Sequence, residues 1–227
     1  MSGVWAVLVA AGRGERLGED RPKAFVRLGE LPLLAEPLRR LDESGFIDAV
    51  VVVAPPEWEE PAILLAEELG ASKVTACVTG GDSRTASVRA GVAEVPDDVA
   101  VILVHDAARP LLPDAVIGRL IAALGDGCDG AVPVLPVTDT VKRVRDGVVD
   151  ATLHRDELVT VQTPQAFVAA ALRAALGRSD ESARNATDCA SLVEANGGRI
   201  RTVEGDERLL KVTTPADLAR IAGWLDT

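Results

Sequence analysis

The stretch Val7–Phe25, VLVAAGRGERLGEDRPKAF, decides the fold. It starts apolar and turns into a long loop of glycines and basic side chains. The apolar run reaches back to Val4, has no basic residue before it and is too short to span a bilayer, so it reads as a buried strand and not as a leader or an anchor. A loop at the carboxyl end of such a strand sits where open α/β sheets bind ligands. Gly12 and Gly14 let a ligand approach the backbone, whose successive N–H groups can cup an anion. Arg13, Arg16, Arg21 and Lys23 add charge, and Pro22 stiffens the segment that presents Lys23. The glycines read G-x-G-x-x-x-G (Gly12, Gly14, Gly18), one residue too long for the dinucleotide fingerprint, and no GxxxxGK[ST] loop is present. A nicotinamide dehydrogenase is therefore disfavoured. Phosphate binding fits, with a plain strand–turn connection as the alternative.

Further apolar, β-branched runs follow at Ala49–Ala54, Lys73–Val78, Val99–His105 and Ala131–Val134. They are continuous and not alternating, as strands covered on both faces are. Helical patterns lie between and beyond them at Leu33–Ser44, Glu57–Leu69, Arg84–Glu94 and Pro113–Leu124. The alternation predicts a doubly wound, mostly parallel, Rossmann-like α/β sheet. It breaks between Pro136 and Pro164, where polar and apolar residues alternate around an Asp146-Gly147 turn signal. That segment reads as a protruding β-hairpin arm, and since a lone hairpin is marginal in water, a partner subunit is expected to cover it. Helices are expected again at Gln165–Leu176 and Thr187–Ala195. A strand pair, Arg199–Val203 and Leu209–Val212, then precedes a last helix from Pro215.

Composition limits the function. The 227 residues are 48% hydrophobic and 26% charged, a globular balance, with a core resting on Val, Leu, Ile and Ala because aromatics are only 3%. A net charge of −11 disfavours nucleic acid as the main partner, so the placement of Lys and Arg matters more than their number. Cys77, Cys128 and Cys189 are scattered without a CxxC pair, which reads as reduced thiols in a cytoplasmic protein, and with the first apolar run too short to span a bilayer no membrane partner is expected. Only two histidines occur, His105 and His154, and no Ser-His-Asp or Cys-His pattern is present.

AAGxGxR followed by Pro22-Lys23 resembles the loop of sugar-phosphate nucleotidyltransferases. Further segments resemble one branch, the 2-C-methyl-D-erythritol 4-phosphate cytidylyltransferases: GGDSRTASVRAG (Gly80–Gly91), VHDAARP (Val104–Pro110), TDTVKR (Thr138–Arg143) with Arg155 and TPQ (Thr163–Gln165), TDCAS (Thr187–Ser191) and EGxxxxxKVTTPxDL (Glu204–Leu218). The similarity runs in order over nearly the whole chain. It implies a single cytidylyltransferase domain over residues 1–227, with a dimerisation arm at about 137–163. It also implies transfer of CMP from CTP to a small polyol phosphate, with Mg²⁺ or another divalent cation. D-ribitol 5-phosphate is the alternative acceptor, and a non-catalytic nucleotide-binding homologue the alternative class.

The resemblance also assigns roles. Lys23, Arg16 and Lys211 would stabilise the transition state, Lys23 at the α-phosphate. Ala10, Ala11, Gly12, Gly14, Gly81, Asp82 and Ser87 would hold the nucleotide. Asp106 would hold the metal, at the end of an apolar strand where a carboxylate can also be an Asx turn or a cap. Arg109 would clamp phosphate or pair with Asp106, and His105 is expected to be structural. Thr140 and Arg155, on the arm, would bind the acceptor in the neighbouring subunit. Without the resemblance, Lys211 reads as a solvated strand-end lysine, and Thr140 and Arg155 as surface residues. One departure is Leu209, two residues before Lys211, where the family commonly has Asn.

Overall fold

The computed structural model describes residues 3–12, 14, 20–125, 127–177 and 186–225. Arg13, Arg16 and Gly18 lie outside them. Among the described residues, eight strands form one sheet. Its centre is parallel: β6 (Val101–Asp106), β1 (Val4–Val9), β4 (Ala49–Ala54) and β5 (Val74–Thr79) lie side by side in that order. The fully buried β4 and β6 show why these runs are continuously apolar. Two short strands, β2 (Arg27–Leu28) and β3 (Leu31–Pro32), pair apart from this sheet as a small hairpin.

Beyond β6 the sheet turns antiparallel. β11 (Gln165–Val168) fills the slot between β6 and β7 (Gly130–Pro136), and β10 (Val159–Val161) runs along the same edge of β7. β12 (Ile200–Glu204) takes the opposite edge of β7, parallel to it. Side chains alternate across the sheet. Leu8, Val52 and Leu103 pack with α1 (Ala35–Glu43), α2 (Glu59–Glu68) and α4 (Asp114–Ala123). Val7, Val53, Ile102 and Val104 pack with α3 (Arg84–Ala93), α5 (Ala169–Leu176) and α6 (Cys189–Ala195) on the other face. A third cluster joins Val26, Leu28 and Leu33, just after Lys23, to Val212 and to Ile221 of α7 (Pro215–Leu225).

The arm is β8 (Lys142–Arg145) and β9 (Val148–Thr152), turning at Asp146 (φ 49°) and Gly147 (φ 78°). The backbone sign that this turn needs is the one Asp-Gly supplies most readily. Val144, Val148 and Val149 are all more than half exposed.

Two expectations are corrected. Gln165–Val168 is a strand and not the first turn of a helix, which begins at Ala169. The slot between β6 and β7 pairs this segment on both sides and buries Phe167 completely, outweighing helix propensity. Leu209–Val212 is not a strand. A short 3₁₀ turn, Glu207–Leu209, capped by Asp206, runs into an extended segment. That segment is tied to the strand-end loop by the bond from Val212 N to Ala108 O (2.8 Å). Leu209 and Val212 are each fully buried, in separate clusters, so this stretch is held by side-chain burial and not by a ladder.

Candidate active site

The carboxyl ends of β1 and β6 border an open cleft of about 1030 Å³. The first loop forms one wall with Ala10, Ala11, Gly12, Gly14, Pro22 and Lys23. Lys23 opens a 3₁₀ turn (Lys23–Phe25), and its N–H reaches Gly12 O at 3.4 Å. Gly14 sits at φ 74°, and a Cβ there would lie 2.6 Å from Lys23 Cβ, so both the backbone sign and the crossing of Lys23 require glycine.

The second wall is the turn before α3. Gly81 and Asp82 are exposed along the cleft, and Ser83 caps the helix by accepting from Ala86 N at 3.1 Å. Ser87 is buried. Its hydroxyl donates to Ser83 O at 2.9 Å and accepts from Gly81 N at 3.2 Å, so it braces the turn from below. A Cβ on Gly80 would lie 2.3 Å from that of Ala11, which explains how closely the two walls meet. Trp58, its ring 4.4 Å from that of Phe25, completes the side near Pro55 and Pro56.

At the floor, β6 delivers Asp106. Its N–H donates to Thr163 Oγ1 at 3.1 Å. Lys211 Nζ lies 2.7 Å from Oδ2 and Arg84 Nε 3.0 Å from Oδ1. Burial alone would raise this carboxyl's pKa, but the charges and hydrogen bonds of Arg84 and Lys211 hold it well below the carboxylate range, so it is ionised. The other guanidinium end of Arg84 donates to Cys189 Sγ at 3.4 Å; burial keeps that thiol protonated, its pKa pushed up to about 11. Lys211 reaches Asp106 because Val212 faces the third cluster, and in extended backbone the neighbouring side chain points the other way.

His105 is fully buried, with Nε2 3.0 Å from Arg109 O and Nδ1 3.2 Å from Thr163 Oγ1. Burial, the largest influence, lowers its pKa to about 4, so it is neutral at neutral pH. Arg109 does not pair with Asp106. Its guanidinium donates to Leu209 O and, at 3.5 Å, to Val161 O, so it braces the segment that carries Lys211. Leu209 lies wholly in the core, which removes any orienting role for a side chain there.

Thr140 and Arg155 are exposed beside the arm and do not line this cleft; Arg155 donates to Thr138 O. Among the described residues no group of three or more His, Cys, Asp or Glu side chains could hold a metal, which leaves Asp106 as the one carboxylate at the floor. No described helix is long and apolar enough to cross a membrane, and the three cysteines are free thiols.

The cleft therefore gathers Ala10, Ala11, Gly12, Gly14, Lys23, Gly81, Asp82, Ser87, Asp106 and Lys211. Sequence reasoning missed Arg84. A signal was present: an arginine in the first turn of a helix opposes the helix dipole, so it calls for a carboxylate partner.

The model of the family described as "IspD: 2-C-methyl-D-erythritol 4-phosphate cytidylyltransferase" matches residues 4–226. A 2-C-methyl-D-erythritol 4-phosphate cytidylyltransferase of Nocardia farcinica is 47% identical, covering 98% of this chain and 94% of its own. The Rhodococcus jostii enzyme of the same name is 48% identical over 95% and 92%. A solved 4-diphosphocytidyl-2C-methyl-D-erythritol synthase superposes with a TM-score of 0.83 at 33% identity, covering both chains completely. The cytidylyltransferase of Thermus thermophilus does so with a TM-score of 0.79 at 32% identity, again over all of both chains. Fold, sequence and motif order agree, and the chain belongs to the 2-C-methyl-D-erythritol 4-phosphate cytidylyltransferase family.

Proposed function

We propose that the protein transfers CMP from CTP to 2-C-methyl-D-erythritol 4-phosphate, giving 4-diphosphocytidyl-2-C-methyl-D-erythritol and pyrophosphate. The observation that carries the reading is the meeting of Lys23 and Lys211 beside Asp106 in one cleft, 188 positions apart in the chain (211 minus 23). Family membership and the relatives' names support the substrates.

The acceptor phosphate is largely dianionic at neutral pH, with a second pKa of about 6, so its oxygen attacks the α-phosphorus of CTP without a general base. The new O–P bond forms as the bond to the β-phosphate oxygen breaks, and pyrophosphate leaves with that electron pair. The barrier lies in bringing two anions together, and cations and positioning lower it. In our reading Lys23 faces the α-phosphate and Lys211 meets the incoming phosphate. Arg16, outside the described residues, adds charge from the first loop. The turn Gly81–Asp82, braced by Ser87, takes the cytosine and ribose with Ala10, Ala11, Gly12 and Gly14. Arg109 serves the acceptor indirectly, through the Lys211 segment it braces.

Asp106 would hold a divalent cation. Its two oxygens carry more lone pairs than Arg84 and Lys211 occupy. A lone carboxylate fits Mg²⁺ that keeps waters and takes its other ligands from substrate phosphates. Bound so, Mg²⁺ supplies charge neutralisation on the phosphate oxygens.

We further propose one domain and a homodimer made through the arm. Its exposed valines support this, as does the position of Thr140 and Arg155 away from their own cleft. Those two residues would reach the acceptor site of the other subunit, in a cytoplasmic enzyme. The test is pyrophosphate release from CTP, Mg²⁺ and either 2-C-methyl-D-erythritol 4-phosphate or D-ribitol 5-phosphate. Turnover with the first and little with the second is expected. Lys23→Ala should cut kcat more than tenfold, about 1.4 kcal/mol of barrier, with its melting temperature kept. Silence with both acceptors overturns the reading, and turnover with ribitol 5-phosphate alone reassigns the acceptor.

A further inference from the structure

Arg84 has no part in the chemistry described above, yet it is built into the floor of the cleft. Its Nε and Nη2 both lie 3.0 Å from the same oxygen of Asp106, Oδ1. Lys211 holds the other, Oδ2, at 2.7 Å. The two cations differ in depth: the Arg84 side chain is 24% exposed and that of Lys211 40%. The inner cation thus occupies one carboxylate oxygen and the outer, more exposed one the other. Arg84 is itself anchored, at the first turn of α3 and by its contact with Cys189, whose N–H is held in turn by Gln165 Oε1 at 3.1 Å.

We infer that Arg84 is a positioning residue for the reaction. It fixes the rotation of Asp106 so that Oδ2 faces Lys211, and it supplies the counter-charge that Lys211 would otherwise have to give up. With Arg84 present the three groups sum to +1, leaving one positive charge for anionic substrates. Without it Asp106 and Lys211 cancel, and the lysine, already 2.7 Å from the carboxylate, is held there as its sole counter-charge and not released to the phosphate it should meet. The inference rests on the proposed cytidylyl transfer for its kinetic consequence. The ion-pair geometry stands apart from it.

The test is a double-mutant cycle with Arg84→Met and Asp106→Asn, read in steady-state kinetics and in denaturant unfolding of the ligand-free protein. Arg84→Met should lower kcat by about ten- to a hundredfold, the range for residues that orient a site's primary groups, while the KM for CTP stays within about threefold. In the Asp106→Asn background the same change should cost less than about threefold, because the group it positions is gone. Arg84→Lys should recover much of the loss, and Cys189→Ala should leave kcat within about threefold, since the carboxylate pair survives it. The inference fails if Arg84→Met costs as much in the Asp106→Asn background, if it raises KM for CTP at constant kcat, or if kcat does not fall. Should Arg84→Met not fold, Arg84→Gln, which also removes the charge but keeps a polar side chain, carries the same cycle. Should the wild type release no pyrophosphate, the reading of the reaction fails. The unfolding cycle then decides the Arg84–Asp106 coupling alone: non-additivity keeps it and additivity removes it.

Discussion

Of the cleft's side chains, Lys23 was the most legible in the sequence. Glycine spacing, a stiffening proline and the strand before it all announce a phosphate-facing loop. Lys211 was not legible from its own surroundings, because a lysine beside Leu210 and Val212 looks like any solvated strand-end residue. Only the resemblance marked it, and burial of Val212 gives the physical reason it turns inward. His105 carries a prediction at this scale. Its folded pKa of about 4 lies below the ordinary 6.5, so between those values only the unfolded chain takes up the proton. Its contribution is complete above pH 6.5 and is lost as pH falls to 4, about 3 kcal/mol in all. Urea unfolding of the wild type and of His105→Gln across that range should show the wild type losing more stability by about that amount. Parallel curves would disprove it.

Elements were read better than their edges. The central strands and α1–α4 fall where periodicity puts them, because each buries a continuous or one-sided apolar face. The failures share one cause. At Gln165–Val168 and Leu209–Val212 the conformation is set by partners far away in the chain, β6 and β7 for one and two separate clusters for the other. No local pattern encodes such partners. α3 offers an element-scale test. Gly91 lies in the last turn of the helix, where alanine would be favoured by up to about 1 kcal/mol. Yet a Cβ there would come within 2.5 Å of Val7 Cγ1 and 2.7 Å of Val53 Cγ2. Overpacking of this kind costs about 1–3 kcal/mol, so Gly91→Ala should lower the melting temperature by a few degrees. A rise in calorimetry would mean that the helix slides off the sheet at little cost.

For the whole molecule, the question is how many chains make one working site. The cleft as a single chain builds it holds the residues proposed for the nucleotide and both lysines, while Thr140 and Arg155 stand outside it. If Arg155 serves the neighbour, mixing Lys23→Ala with Arg155→Ala dimers should restore activity as subunits exchange, because each heterodimer then contains one intact site. Restored turnover should approach a quarter of wild type at equal mixing: about half the dimers are mixed, each with one good site of two, by random pairing. No recovery with exchange proven by labelled subunits would give each chain its own complete site.

The third cluster ties Val26, Leu28 and Leu33 to Val212 and Ile221. It therefore also fixes when the Lys211 side of the cleft can form. A growing chain makes the first loop early, but the segment that seats it leaves the ribosome only after every strand of the main sheet. Until then Asp106 can pair with Arg84 but not with Lys211. Synthesis order thus withholds the Lys211–Asp106 pair until the sheet is whole, and under the proposed role of Lys211 a copy that stops short of it should not consume CTP.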